Sequence, residues 1–149
     1  MIKYIIDGNN LIGKIKFLNQ LQLKDKQSSR EKLVFIVDNF FTGKNIKVLL
    51  FFDGYENLSI PSSRSKIIYS RNKTADDLIK KQIENSKNPR NVILVSSDNN
   101  LVQFARVCGC SIFTSEKFAG EISISKNQDE EKEREKSINN DEIKKLFDV

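Results

Sequence analysis

The sequence predicts an α/β fold, a three-layer sandwich in which a central, mostly parallel β-sheet is flanked by helices. Two runs, residues 46–52 and 92–95, are hydrophobic almost throughout, as strands buried on both faces of a parallel sheet are. Segments with helical hydrophobic spacing separate the strand candidates, which gives the order β-α-α-β-β-α-β-α-β. Right-handed crossovers then favour parallel pairing of these strands.

The first third of the chain is predicted to contain one strand and two helices. The strand ends at Asp7, and the helix after it has Asn9 or Asn10 as a suitable cap. A polar loop over residues 24–29 leads to a second helix, which is apolar on nearly all sides and which Gly43 ends. We therefore expect the second helix to be deeply packed.

The remaining elements follow at short intervals. Four strands and two helices are predicted, in the order strand, strand, helix, strand, helix, strand, at residues 46–52, 66–70, 74–85, 92–95, 101–108 and 111–114. Thr74 is suited to cap the first of these helices, and Gly109 to end the second. The shorter strand at residues 66–70 is expected nearer an edge of the sheet.

Length and charge pattern predict one domain with an extension. The chain has 149 residues, within the usual range for one domain. We place the domain at residues 1–125 and a charged C-terminal extension, ending in a short amphipathic helix, at residues 126–149. The chain shows no apolar run long enough to span a membrane and no secretion signal, so we expect it to be cytoplasmic.

The residue inventory excludes several mechanisms. The chain contains no histidine, which rules out Ser-His-Asp and Cys-His catalysis. Its two cysteines, Cys108 and Cys110, cannot complete a tetrahedral zinc site alone. An enzyme of this composition would rely on carboxylates, lysine, hydroxyls or a hard cation such as Mg²⁺ or Mn²⁺. The net charge of +5 favours a polyanionic partner.

Acidic residues stand where this fold places its ligand sites. Asp7, Asp53 and Asp98 each follow a predicted strand, and Asp76 and Asp77 begin a helix. The carboxyl ends of parallel strands meet at one edge of the sheet, where open α/β sheets bind ligands. Because like charges in one cleft need a compensating cation, we predict that these acids hold divalent metal. Asp-Gly is also a common turn, which is the simpler interpretation of Asp53.

Helix geometry distinguishes Asp76 from Asp77. If the apolar residues of this helix face the core, Asp76 lies at the margin of the buried face and Asp77 points away from it. Asp76 is therefore predicted to be an inner ligand, and Asp77 to have a rim or outer-sphere role. The alternative is that both acids only stabilise the helix N-terminus.

A metal held by carboxylates can activate water for attack on a phosphodiester, which needs no histidine. Asn10 is placed to hydrogen-bond a ligand carboxylate or a phosphate. Tyr55 and Tyr69 could stack on the bases of single-stranded RNA. The basic residues near the proposed cleft, which we predict to bind RNA, are Arg71, Lys73, Arg64 and Lys66.

Four motifs together resemble the bacterial YacP-like branch of the NYN domains, within the PIN-like ribonuclease superfamily. They are Ile5–Ile12, Phe51–Gly54, Thr74–Ile79 and Val95–Asp98, and the resemblance covers residues 1–118. It implies a central parallel sheet, Mg²⁺ or Mn²⁺ at an acidic cleft, and endoribonuclease activity. Some members of this branch act on messenger RNA in association with the ribosome.

By position, the resemblance implies metal binding by Asp7, Asp76 and Asp98. It also implies that Asn10 and Asp77 are accompanying site residues, and it adds Asp53 as a further ligand. We therefore predict a metal-dependent endoribonuclease acting on RNA.

Three alternatives remain open. The chain could be a non-catalytic RNA- or ribosome-binding module with a degenerate metal site. It could be a phosphoryl-transfer or receiver-like domain, although it lacks both the second acid of the Asp-x-Asp pattern and a glycine-rich phosphate loop. A toxin of the PIN type would share the chemistry and differ only in context. The oligomeric state does not follow from the sequence.

Overall fold

The computed structural model describes residues 1–122, which form one parallel sheet with helices on both faces. The strands are β1 (Ile2–Asp7), β2 (Ile46–Phe52), β3 (Ser65–Tyr69), β4 (Val92–Val95) and β5 (Ser111–Phe113). The helices are α1 (Gly8–Lys14), α2 (Lys16–Lys24), α3 (Lys26–Phe41), α4 (Ala75–Glu84) and α5 (Asn99–Val107), followed by a final helical segment at residues 115–122. The domain boundary predicted at residue 125 and the charged extension lie outside the described residues.

The first strand runs through the centre of the sheet. The strand order is β3-β2-β1-β4-β5, and every neighbouring pair is parallel. The chain passes from β1 outward through β2 to β3 and then returns to the other side of β1 with β4. This reversal creates a topological switch point between β1 and β4, where open α/β sheets bind ligands. The predicted α/β fold is confirmed.

Two hydrophobic cores lie on opposite faces of the sheet, because successive strand residues point to opposite sides. Ile6 and Leu50 pack against α1, α2, α3 and the final helical segment. Their neighbours Ile5 and Leu49 pack against α4 and α5 on the other face. The predicted three layers are therefore present. Within residues 1–122, no helix combines the length and the apolar character needed to cross a membrane.

The first helices differ from the prediction in number and in bounds, because the single helix predicted after β1 is divided at Ile15 into α1 and α2. The helix after β1 begins at once with Gly8, so Asn9 and Asn10 lie inside it and their side chains bind other segments. The loop predicted at residues 24–29 is mostly helical. The carboxylate of Asp25 caps α3 by accepting a hydrogen bond from the Ser28 N–H, and this cap starts the helix earlier than expected.

Gly8 occupies a position where no side chain fits. A Cβ atom built on Gly8 would lie 2.5 Å from the carbonyl oxygen of Phe51 and 2.7 Å from the ring of Phe52. The backbone oxygen cannot retreat without moving β2. Glycine therefore allows β1 and the start of α1 to lie tightly against β2, directly beside Asp7.

We expect Gly8→Ala to lower the free energy of unfolding by about 1–3 kcal/mol, because the added methyl group overpacks against backbone. Urea unfolding measures the change. Gly13→Ala is the matched control in the same helix, since a Cβ there meets no atom within 4 Å. We expect Gly13→Ala to be neutral or stabilising. Equal stability of Gly8→Ala and wild type would contradict the close approach.

Candidate active site

Asp7 is the last residue of the central strand, and its side chain is buried. The residue is 5% exposed, and its Oδ2 accepts a hydrogen bond from the hydroxyl of Ser96 at 3.1 Å. Burial raises the pKa of this carboxyl from 3.8 to about 6. The Ser96 hydrogen bond opposes the shift, and the charges of Asp76 and Asp53 add to it. In the folded protein, the hydrogen bonds to Asp7 do not fully offset the cost of burying its charged form.

Ser96 joins Asp7 to Asp98 across the switch point. Its buried hydroxyl donates to Asp7 and also accepts a hydrogen bond from the Asp98 N–H at 3.1 Å. Asp98 is half-buried and caps α5, because its Oδ1 accepts a hydrogen bond from the Leu101 N–H at 3.0 Å. The carboxylate of Asp7 and the backbone of Asp98 are therefore linked through one serine hydroxyl.

Asp53 follows β2 and connects three helices. Its N–H donates to the Oδ1 of Asn9 in α1 at 2.9 Å. Its Oδ1 accepts a hydrogen bond from the N–H of Ala75, the first residue of α4, at 2.8 Å. Its carbonyl oxygen accepts a hydrogen bond from Arg30 in α3 at 2.5 Å. One carboxylate oxygen of this predicted ligand is thus used to position the start of α4.

Asp76 and Asp77 lie in the first turn of α4 with different exposures. Asp76 is half-buried and Asp77 is exposed, as helix geometry predicted. Burial raises the pKa of Asp76, and the nearby charges of Asp98, Asp53 and Asp77 raise it further, while Lys80 opposes the shift. The Asp77 N–H donates to the hydroxyl of Thr74, which caps the helix as expected.

The acids at this edge influence one another electrostatically. Asp7 is affected by Asp76 and Asp53, and Asp76 is affected by Asp98. Their carboxylate oxygens are the hard donors that Mg²⁺ and Mn²⁺ prefer. Among residues 1–122, however, no three acidic or cysteine side chains are already grouped so that they could hold a metal ion. The donor chemistry fits such an ion, and its binding would require the side chains to close around it.

Asn10 connects α1 to the loop after β4 and to the start of the final helical segment. Its Oδ1 accepts hydrogen bonds from the Ser97 N–H at 3.0 Å and from the Ser115 hydroxyl at 2.7 Å. The residue was predicted to bind a carboxylate or a phosphate. Because a carboxylate or a phosphate accepts hydrogen bonds, only the NH₂ group of Asn10 could bind one.

Glu116 is an acid at this edge that the sequence analysis did not identify. Its Oε2 accepts a hydrogen bond from the Ser97 hydroxyl, and its Oε1 lies 3.2 Å from the Nζ of Lys14. The Ser97 hydrogen bond is the main cause that lowers the pKa of Glu116. The available signal was its position just after the last strand, at the same edge as the other acids.

The four predicted RNA-binding residues lie at opposite ends of β3. Arg71 and Lys73 are exposed just after this strand, at the acidic edge. Arg64 and Lys66 lie at its beginning, about 15 Å away for five residues of strand. Arg64 donates to the carbonyl oxygens of residues 44 and 46, so it holds the loop before β2. The structure thus brings only Arg71 and Lys73 to the acidic edge.

A cleft of about 730 Å³ runs beside the edge strand β3. Its lining includes Tyr69 and Leu78 together with Arg71 and Lys73. None of the four strand-end and helix-start acids predicted to bind metal lines it. The cleft therefore adjoins the acidic edge and does not contain it.

Comparisons with known proteins identify relatives of this chain. The family model described as the YacP-like NYN domain matches residues 4–148. A crystal structure of a mutant of Rae1 (YacP) from Bacillus subtilis is 19% identical, with a TM-score of 0.73, and covers 94% of this chain and 84% of that one. Another crystal structure of Rae1 (YacP) from Bacillus subtilis is 22% identical, with a TM-score of 0.68, and covers 99% and 93%. No curated protein matches the sequence.

At these identities the structural likeness shows a shared fold. The family model adds sequence evidence, because it matches nearly the whole chain, including every acid at the carboxyl edge of the sheet. The chain belongs to the YacP-like NYN domain family.

Proposed function

We propose that this protein is a metal-dependent endoribonuclease that hydrolyses phosphodiester bonds in single-stranded RNA, with messenger RNA at the ribosome as the narrower form of the proposal. NYN domains are a nuclease family, so membership supports an RNA substrate. The observation that carries the proposal is the buried Asp7 carboxylate at the switch point, within the field of Asp76 and Asp53. Such an arrangement is unfavourable unless a cation joins it.

The carboxylates are the residues that would hold Mg²⁺ or Mn²⁺. Asp7, Asp76 and Asp98 would be the ligands, and Asp53 would contribute through the oxygen that does not bind Ala75. A bound ion would supply an activated water and positive charge near the scissile phosphate. The absence of histidine is consistent with this choice of chemistry.

The protein's own residues would orient the site. The Ser96 hydroxyl donates to Asp7 and so fixes the direction of that carboxylate. Asn10 accepts a hydrogen bond from the Ser97 N–H and so holds the loop that leads from β4 to Asp98. Asp77 is exposed at the rim, where it could contact solvent or an outer-sphere group.

Arg71 and Lys73 would bind the RNA backbone. Both are exposed cations at the edge that carries the acids. Arg71 also has a left-handed backbone, with φ +60°, which its N–H stabilises by donating to the Gly54 carbonyl at 2.8 Å. Left-handed non-glycine residues are uncommon and point to a role for the site at which they persist. Here the hydrogen bond to Gly54 places Arg71 next to the loop that carries Asp53.

A second candidate is a non-catalytic RNA- or ribosome-binding module. The observation that favours it is the absence, within the described part of the chain, of three acids already grouped as a metal site. This candidate requires RNA binding that persists in chelator and no cleavage under any metal condition.

The proposal predicts internal cleavage of single-stranded RNA with Mn²⁺ or Mg²⁺ and none in chelator. We expect Asp7→Asn and Asp98→Asn to lower kcat by about 100-fold or more, because each removes a charge from the metal-binding edge. Asparagine at position 98 can still cap α5, so folding is preserved. End-labelled RNA resolved on a gel gives the rates.

Glu84→Gln is the matched control, since this exposed acid lies at the other end of α4. It should cleave like wild type. If wild type and both aspartate variants bind RNA and are equally inert, the non-catalytic module replaces the nuclease.

RNA affinity should depend on Arg71 and Lys73 in a salt-dependent manner. We expect the double variant Arg71→Gln/Lys73→Gln to weaken binding and to reduce the slope of log K against log salt by about 1.4, which is about 0.7 for each phosphate contact on a single strand. Fluorescence anisotropy in chelator measures this without cleavage. The control Lys66→Gln/Arg90→Gln removes two exposed charges away from the acidic edge. An unchanged slope in the first double variant would refute this RNA path.

A further inference from the structure

Arg30 is a buried cation in α3. Only 3% of the residue is exposed, and its guanidinium lies 5.2 Å from the ring centre of Phe52 and 5.3 Å from that of Tyr69. These two aromatic residues are paired across β2 and β3, so Arg30 covers both at once. Among residues 1–122, the ion pair is the one between Lys14 and Glu116. Arg30 therefore forms no ion pair with a carboxylate in this part of the chain.

The hydrogen bonds of Arg30 go to one loop. Its Nη1 donates to the carbonyl oxygen of Tyr55 at 3.0 Å and its Nη2 to that of Asp53 at 2.5 Å. Its buried Nε has no partner among the described residues. Removing a cation from water and leaving one donor unpaired is unfavourable, whereas a methionine of similar length would avoid this cost. Packing alone therefore does not account for an arginine here.

The loop that Arg30 holds is connected to both ends of the acidic site. The N–H of Asp53 binds Asn9, two residues after Asp7. The carboxylate of Asp53 binds the N–H of Ala75, the residue before Asp76. The guanidinium of Arg30 binds the carbonyl of Asp53 and so restricts the position of Asp53. Asp53 in turn is hydrogen-bonded to the starts of α1 and α4.

We propose that Arg30 is a positioning residue of the active site: it fixes the backbone of Asp53, and through Asp53 it sets the start of α4 and the place of Asp76. Its effect on catalysis rests on the proposed nuclease function, whereas its effect on the start of α4 does not. Arg30 touches neither substrate nor metal in this account.

Two substitutions test the effect on activity. We expect Arg30→Met and Arg30→Lys to lower kcat by about 10–100-fold and to leave KM for RNA within about twofold, as loss of a group that supports metal ligands does. Lysine keeps the charge but cannot donate to both carbonyls in the fixed geometry of a guanidinium, so it should not restore kcat. Arg90→Met, at an exposed arginine outside the site, is the control and should behave like wild type.

A second measurement needs neither RNA nor metal. In Arg30→Met, the Ala75 amide should exchange with solvent faster, because Asp53 no longer holds it. The Leu101 amide, which donates to the carboxylate of Asp98 at the start of α5, is the internal reference and should be unchanged. Arg30→Lys provides the same readout if the methionine variant does not fold.

A double-mutant cycle connects the two readouts. Once Asp53→Ala has removed the bond to Ala75, adding Arg30→Met should lower kcat no further. Unchanged Ala75 exchange in the Arg30 variants, additive losses in the cycle, or full kcat in a folded Arg30→Met would each overturn the proposal. If wild type cleaves no RNA, the nuclease proposal fails, and the exchange rates still decide whether Arg30 positions α4.

Discussion

The structure depends on a carboxylate buried at the end of the central strand. Asp7 is deep because β1 has neighbours on both sides and because Gly8 lets β2 approach without a gap. Water is largely excluded from the carboxylate, and only Ser96 donates to it from a side chain among the described residues. A charged group so placed is costly, and this cost is the basis of our proposal that the switch point binds a cation.

Asp53 links this buried carboxylate to the other acids. Asp53 accepts hydrogen bonds from Arg30 and Ala75 and donates one to Asn9. These three partners belong to three different helices. The helices on both faces of the sheet are therefore tied to the end of β2. In this structure Asp53 connects elements, and the metal-ligand role that we propose for it would use the carboxylate oxygen that does not bind Ala75.

Much of the fold could be predicted because its signals are local. The buried strands at residues 46–52 and 92–95 are read from consecutive hydrophobic residues, and acids after strands must meet at one edge of a parallel sheet. The different exposures of Asp76 and Asp77 followed from helical spacing alone. These features require no knowledge of distant contacts.

Features that depend on distant contacts could not be predicted in this way. Arg30 looks like an ordinary polar residue near a helix start, and only the pairing of Phe52 with Tyr69 makes its surroundings aromatic. Glu116 joins the edge through Ser97, 19 residues earlier in the chain. Arg64 and Arg71 were both predicted to lie near the cleft and bind RNA, yet the length of β3 separates them. The start of α3 was misplaced because the Asp25 cap was not recognised.

The most direct test of this account is the stability of wild type and Asp7→Asn against pH, by urea unfolding, with and without Mn²⁺. Burial raises the pKa of Asp7 in the folded protein from 3.8, its ordinary value, to about 6, and these two values bound a pH window. Within that window the folded state binds more protons than the unfolded state, so wild type loses stability as the pH rises through it. Above the window, the full cost of burying the charged carboxylate is present.

Asp7→Asn lacks this cost, and its advantage over wild type should grow from near zero below the window to at most about 3 kcal/mol above it. At neutral pH, Mn²⁺ should stabilise wild type and leave Asp7→Asn unchanged. A pH-independent difference between the two proteins, together with no stabilisation of wild type by Mn²⁺, would contradict the account.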